Sequence, residues 1–406
     1  MSILPLSEHV NWIGALDPDL VTFDIVMKTR FGTTYNSYFI NAEKKTIIET
    51  VKYNFRNEFI GKIEQLCSPS EIEYIVLDHT EPDHSGSLET LLELAPNATV
   101  VGSGQAISNL QEMLGKSFNS LKVKDGAELS LGNMNLRFIG APNLHWPDSM
   151  YTYLVEEKIL FTCDSFGAHY CNSAMYDDLT GNYDDALRYY FDIILKPFSK
   201  FMLKAIEKIR PLEINAIGTG HGPILRSTWK KVVDTTEKLA AEYMESLGNN
   251  STRVLIAYVS AYGYTREMAL KIAEGLRQVC QVQIDLADLE RIRTVDLEEK
   301  IIHSSAIIIG SPTINQNTLL PVFNMLSLIN PIRDKGKIGA SFGSFGWSGE
   351  AVKIIDNNLK SLKLEVPFEG ITEKFYPHNE KALALVEFGK KLGEIIKARS
   401  KVAIDD

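Results

Sequence analysis

A chain of 406 residues is longer than one ordinary domain and implies two or three. Its 45% hydrophobic and 23% charged residues are the composition of a globular protein with sizeable cores. The net charge of −10 argues against nucleic acid and anionic membrane as partners, because both select basic surfaces.

The opening MSILPLSEHVNWIGALD has no basic leader followed by an apolar stretch, so no secretory signal is read. No apolar run nears the roughly 20 residues of a membrane span, and a cytoplasmic location is the expectation. Cys67, Cys163, Cys171 and Cys280 show no C-x-x-C spacing and fit reduced thiols better than disulfides or a structural zinc site.

Short β-rich runs come first, at Thr22–Lys28, Asn36–Asn41 and Thr46–Thr50, separated by Gly, Asn and Lys turn chemistry. A Ser-Pro-Ser cap precedes Ile72–Leu77, whose apolar run predicts a buried strand. Leu88, Leu91, Leu92 and Ala95 then mark a helix. Strands at Thr99–Gly102, Leu136–Ile139, Tyr151–Val155 and Ile159–Thr162 follow. A long helical region from Tyr183 to Ile209, a strand at Ile214–Gly218 and a helix at Ser227–Ser246 complete this half. Mixed strands with helices outside predict an αββα sandwich of the α+β class.

Leu247–Thr252 has no periodicity and is rich in Gly, Asn and Ser, which places a linker between a domain of 1–249 and one of 250–406. The pattern then alternates. Strands at Arg253–Val259, Val282–Leu286, Ala306–Gly310 and Ile338–Phe342 are interleaved with helices at Thr265–Val279, Leu320–Leu328 and Ala351–Lys360. That alternation predicts an α/β domain with a doubly wound parallel sheet.

His79-Thr-Glu-Pro-Asp-His84 directly follows a buried strand and packs His79, Glu81, Asp83 and His84 into one loop. A strand-end loop can turn four such side chains toward one point, which favours a metal site over a polar turn with a helix cap. His145, Asp164 and His221 each cap an apolar run or lie in a turn-rich segment just beyond one. Singly, His145 or His221 is more often a hydrogen-bonded structural histidine, and Asp164 more often a helix cap.

In the second half, Tyr258–Arg266 runs from a strand into a helix. Ser260, Ala261, Tyr262, Gly263, Tyr264 and Thr265 there offer hydroxyl and backbone N–H groups to a phosphate at the positive helix end. No Walker lysine and no G-x-G-x-x-G accompanies them, so a mononucleotide is favoured over ATP or a dinucleotide. Pro312, Thr313, Ile314 and Asn315 form a second loop at a carboxyl strand end. Ser344, Phe345, Gly346, Trp347, Ser348 and Gly349 form a third. Trp347 in a Gly-rich loop is well placed to cover a planar ring, with core packing as the alternative.

Taken in order, the first set resembles the H-x-H-x-D-H pattern of the metallo-β-lactamase-like fold, with its later His, bridging Asp and last His. Glu81 stands where that pattern has a histidine, and a carboxylate there shifts preference from zinc toward iron or manganese. Together with Gly32–Asn36, Leu144–Met150 and Phe342–Glu350, this resembles the flavodiiron proteins over nearly the whole chain, and the three later loops resemble flavodoxin with FMN.

The resemblance implies a metallo-β-lactamase-like sandwich followed by a flavodoxin-like domain, with FMN and two irons as cofactors. It implies that His79, Glu81 and His145 hold one iron, that Asp83, His84 and His221 hold the other, and that Asp164 bridges. In some members the side chain equivalent to His84 turns off the metal, so its role stays open. His169 matches no motif position and is read as either supporting the site or structural.

The implied reaction is reduction of O2 to water, of NO to N2O, or both. Without a rubredoxin-like module or flavin-reductase domain in the sequence, an external donor is expected: rubredoxin, a reduced deazaflavin or a flavin reductase. Head-to-tail homodimers or homotetramers are the expected assembly. A dinuclear metallohydrolase and a flavodoxin-type carrier with a vestigial sandwich remain the rival readings.

Overall fold

The computed structural model describes residues 3–23, 27–248 and 253–405. The chain separates into two compact units, Met1–Tyr243 and Met244–Asp406.

In the first unit, a seven-stranded mixed sheet runs in the order Leu4–Pro5, Val10–Trp12, Tyr38–Ile40, Lys45–Ile48, Ile72–Leu77, Thr99–Ser103, Ser120–Val123. A five-stranded sheet runs Glu128–Ser130, Asn135–Gly140, Met150–Leu154, Ile159–Cys163, Ala216–Thr219. Side chains of both sheets interdigitate: Val10, Trp12, Tyr38 and Val76 meet Leu136, Phe138 and Phe161. The outer face of the first sheet is covered by Phe59, Ile63, Leu91, Ile107 and Leu110 from three helices. That of the second is covered by Leu187, Met202, Ile206 and Val233. Apolar residues on both faces of the inner strands demand two cover layers, and the result is an αββα sandwich.

Two segments differ from the sequence reading. The run Thr22–Lys28 is not one strand: Thr22–Phe23 pairs antiparallel with Met27–Lys28, so its two ends pair with each other, and residues 24–26 lie outside the described ones. The helical region from Tyr183 to Ile209 is interrupted. Asp184–Tyr190 is followed by a π-helical turn at Phe191–Leu195, a tight turn at Lys196–Phe198, and a helix at Ser199–Ile209. Pro197 has no N–H to continue a regular ladder, which accounts for the break. The expected linker at Leu247–Thr252 falls mostly outside the described residues. Leu247 and Gly248 close the helix Trp229–Gly248, and residues 249–252 are not described.

The second unit is an all-parallel five-stranded sheet in the order Gln283–Asp288, Arg253–Tyr258, Ala306–Gly310, Ile338–Phe345, Ile371–Lys374. One face packs on the helices Tyr264–Val279 and Glu380–Asp405, through Met268, Ile272, Leu385 and Leu392. The other packs on Leu297, Val322, Met325 and Ile355. Numbered along the chain the strand order is 2-1-3-4-5, that of flavodoxin, in which ligands bind beside the first and third strands where the winding reverses. Among the described residues, no helix is long and apolar enough to cross a membrane.

Candidate functional site

In the sandwich, four strands deliver chemistry from their carboxyl ends. Ile72–Leu77 leads into His79, Ile159–Cys163 into Asp164, Ala216–Thr219 into His221, and Lys45–Ile48 into Glu49. Pro82 opens a single helical turn, Pro82–Ser85, with Glu81 as its N-cap, and Asp83 and His84 are buried within that turn. His145 follows a cis peptide after Leu144.

These side chains form two groups, and Glu49, His84 and Cys163 form a third that shares His84 with the second. His79, Glu81, His145 and Asp164 each bring one ligand-grade atom to within 4.8 Å of all the others, and Asp83, His84 and His221 form a second such group. Glu81 Oε2 lies 2.9 Å from His145 Nε2 and 3.2 Å from His79 Nε2. Asp83 Oδ2 lies 3.1 Å from His221 Nε2. Asp164 stands between the groups: Oδ2 is 3.2 Å from His145 Nε2, and Oδ1 is 3.1 Å from His84 Nε2 and 3.4 Å from His221 Nε2.

The other ring nitrogens are also held. His79 Nδ1 faces Asp148 Oδ2 at 3.3 Å, and Asp148 accepts further bonds from the Thr80 N–H and hydroxyl at 2.8 Å. His221 Nδ1 bonds the Thr34 carbonyl at 2.6 Å. Partners of this kind orient imidazoles toward a metal. Glu49, Asn143, Cys163 and Phe166 all flank the cluster with positive φ. Such conformations cost energy for non-glycine residues and concentrate at functional sites.

The electrostatics ask for a cation. Asp83 Oδ1 is buried without a hydrogen-bond partner, and the buried Asp83 Oδ2 and Asp164 Oδ2 meet only histidine nitrogens, an expensive arrangement for carboxylates. The histidines supply compensating charge. Burial opposes the charge on His145, but Asp164 and Glu81 push its pKa up to about 9. Burial likewise opposes His221, yet Asp164 and Asp83 raise it to about 10. Burial would raise Asp164, while His84, His145 and His221 hold it well below the usual carboxylate range. Nitrogen and oxygen donors with several carboxylates fit iron or manganese better than thiolate-loving metals.

Three groups that the sequence did not single out join this site. Asp148 was visible three residues after His145 as a ligand-grade carboxylate. Tyr190, whose hydroxyl donates to Asp164 Oδ1 at 3.1 Å, sits on a helix with no signal to mark it. Glu49 approaches His84 Nδ1 with Oε2 at 3.7 Å. His169, left open in sequence, bonds Thr33 Oγ1 through Nδ1 at 2.8 Å and packs its ring 5.0 Å from that of His221.

In the flavodoxin-like unit, a cleft of about 470 Å³ opens where the three loops meet. Ala261, Tyr262, Tyr264, Thr265, Pro312, Thr313, Ile314, Ser344, Phe345, Gly346 and Trp347 line it, and Phe375, absent from the sequence reading, joins them. Ser260, Gly263, Asn315, Ser348 and Gly349 do not line it. Ser260 instead accepts from the Arg266 N–H, and Gly263 caps the helix Tyr264–Val279 at φ +83°. The Thr265 and Ser344 hydroxyls lie 2.9 Å apart. Tyr262 and Trp347 are 83% and 79% exposed at the mouth. Two large exposed aromatics beside a hydroxyl-lined helix end suit a flat ring carrying a phosphate.

Fold and sites thus define a flavoprotein whose flavodoxin-like cleft is paired with an acid-and-imidazole metal centre. A family model described as ODP family beta lactamase matches residues 33–222, and one for flavodoxin matches 256–389. The chain is 38% identical to the type A flavoprotein fprA of Rhodobacter capsulatus, covering 96% of this chain and 91% of that one. It is 36% identical to the flavo-diiron protein FprA2 of Clostridium acetobutylicum, covering 98% and 100%. It is 34% identical to a nitric oxide reductase of Moorella thermoacetica, covering 95% and 97%. Among solved structures, the rubredoxin oxygen:oxidoreductase of Desulfovibrio gigas aligns with TM-score 0.68 and 29% identity over 98% of this chain and 99% of that one. The chain belongs to the flavodiiron, or type A flavoprotein, family: oxidoreductases that work with FMN and a diiron centre.

Proposed function

We propose that the chain reduces O2 to water, NO to N2O, or both, with electrons passed from an external donor through FMN to an iron pair. Asp164 carries this reading, because its two oxygens face different histidine groups and one carboxylate would thereby serve two metal positions. His79, Glu81 and His145 are assigned to one iron, and Asp83, His84 and His221 to the other. The domain limits proposed are 1–249 for the iron half and 250–406 for the flavin half. Relatives named as a nitric oxide reductase and a rubredoxin oxygen:oxidoreductase support both gases as substrates and rubredoxin as one class of donor. Reduced deazaflavin and a flavin reductase are the alternative donors, in the cytoplasm.

When bound, the flavin and the iron pair supply the electrons: four for O2 to two waters, or two for a pair of NO molecules to N2O and one water. The protein's own task is placement and protons. Asp148 and the Thr34 carbonyl fix the His79 and His221 imidazoles, so little reorganisation of those two rings is left for binding. Tyr190 keeps its proton: burial and then the negative charge of Asp164 push its pKa well above the usual phenol range. Its hydroxyl donates to Asp164 Oδ1 at 3.1 Å and so orients that carboxylate. Thr265, Ser344 and the amino end of Tyr264–Val279 are assigned to the FMN phosphate, and Trp347 and Tyr262 to its ring.

Metal analysis with a visible spectrum of the purified protein tests this composition. An iron pair with a flavin spectrum is the expected result. Zinc with ester or phosphoester hydrolysis would mean the dinuclear hydrolase instead, and flavin without metal would mean an electron carrier.

A further inference from the structure

His84 is the assigned ligand whose attachment the sequence leaves open, and its surroundings are unusual on both sides of the ring. Its backbone carbonyl accepts two bonds from Thr50, from the N–H at 2.8 Å and the hydroxyl at 2.6 Å. Glu49, the preceding residue, is buried at φ 60° and pinned there. Its N–H bonds the Val76 carbonyl, its carbonyl accepts from Ser37 Oγ, and its Oε1 accepts the Asp78 N–H at 2.5 Å. Oε2 has no hydrogen-bond partner and lies 3.7 Å from His84 Nδ1. A Cβ on Gly220 would sit 2.8 Å from His84 Cε1, so the ring is boxed on that side too.

A neutral imidazole can bind metal through Nε2 only if its proton sits on Nδ1. Two groups compete to set that proton. Cys163 Sγ lies 3.5 Å from Nδ1. If the thiol donates to Nδ1, the ring proton moves to Nε2, where it bonds Asp164 Oδ1 at 3.1 Å and closes the metal position. A carboxylate at Nδ1 does the opposite, because it accepts the Nδ1 proton and leaves the Nε2 lone pair free.

We propose that Glu49 is the positioning residue that keeps His84 available to the metal, accepting Nδ1–H and directing Nε2 toward Asp83, His221 and Asp164. This rests on reading the cluster as a diiron site.

The test is Glu49→Gln, which preserves size. Glu49 Oε1 accepts from Asp78 N–H, and on this proposal Oε2 accepts from His84. An amide with its oxygen on Asp78 presents NH2 to Nδ1 and drives the ring proton to Nε2. In an anaerobic ferrous titration of the metal-free protein, E49Q should weaken one of the two irons by about 10–100-fold, the usual effect of removing a carboxylate behind a ligating histidine. The other iron, the FMN content and the circular dichroism should be unchanged. His84→Ala should show the same loss, and E49Q should add nothing in the H84A background. Imidazole NMR of the zinc-loaded wild-type chain, which needs no variant, should show His84 protonated at Nδ1.

Two irons held by E49Q at wild-type affinity, full additivity with H84A, or an unprotonated Nδ1 would each overturn the proposal. Failure of the wild-type chain to bind an iron pair would instead sink the diiron reading, and this inference with it.

Discussion

Asp164 is 1% exposed, yet it offers one oxygen to each of two histidine groups and also accepts from Tyr190. Its negative charge is what offsets two cations, and an amide is a neutral, poorer bridge. Asp164→Asn should therefore lower iron uptake at least about 10-fold, the lower end of what even an outer partner costs, and abolish O2 consumption in step. Wild-type iron content with wild-type consumption would remove Asp164 from the centre. Trp347 belongs to a different chemistry. A Trp 79% exposed beside a cleft contributes little to packing, so Trp347→Ala should leave stability and iron alone. It should weaken FMN by about 1 kcal/mol of lost stacking, roughly fivefold. Unchanged FMN affinity and flavin reduction would assign the side chain to the surface.

Elements explain why some of this was legible in sequence. Ligand-type side chains directly after apolar strands stand out, because a strand end is where a buried chain must turn and where a polar residue needs a reason. His79, Asp164 and His221 are all of this kind. Glu49 was hidden because the predicted strand Thr46–Thr50 ran through it, whereas the strand ends at Ile48, and Asp148 lies in a turn-rich segment where a carboxylate is ordinary. Asp148 meets His79 only through pairing across 69 residues. The alternation of the flavodoxin-like half was clear as far as Ala351–Lys360, but the helices Thr294–Ile302 and Glu380–Asp405 and the strand Ile371–Lys374 were not singled out. Nor, in the sandwich, were Leu4–Pro5, Arg56–Leu66 and Gly104–Leu114. The break at Phe191–Leu195 was invisible as well, although it follows directly on Tyr190. Helical irregularities of this type recur at functional sites.

Gly220 lies between the strand Ala216–Thr219 and His221, and an added Cβ would lie 2.8 Å from His84 Cε1 and 2.9 Å from the Cys163 carbonyl carbon. Gly220→Ala should cost about 1–3 kcal/mol as an overpacking change and displace His84, reducing iron content while FMN stays bound. A thermal melt with metal analysis checks both, and wild-type values in each would show that the ring has room to spare.

At the scale of the whole molecule, the prediction concerns which flavin serves which irons. An isologous pair repeats any contact twice, so a head-to-tail dimer can set each flavin against its partner's metal centre. The family resemblance supports that arrangement, as a dimer or a dimer of dimers. Co-expressing an iron-deficient variant (His79→Ala with His145→Ala) with one unable to bind FMN should recover activity, because one cross-subunit pairing stays intact. Transfer confined to a single chain would give no recovery in any mixture.

The most direct test of the central claim is a single turnover of the anaerobically reduced, iron- and FMN-loaded chain against each gas in turn. The expected result is flavin reoxidation at the rate of gas consumption, with O2 yielding water and no released peroxide, or NO yielding N2O. Reoxidation by O2 that releases peroxide stoichiometrically, at the same rate with and without iron, together with no N2O from NO, would contradict it.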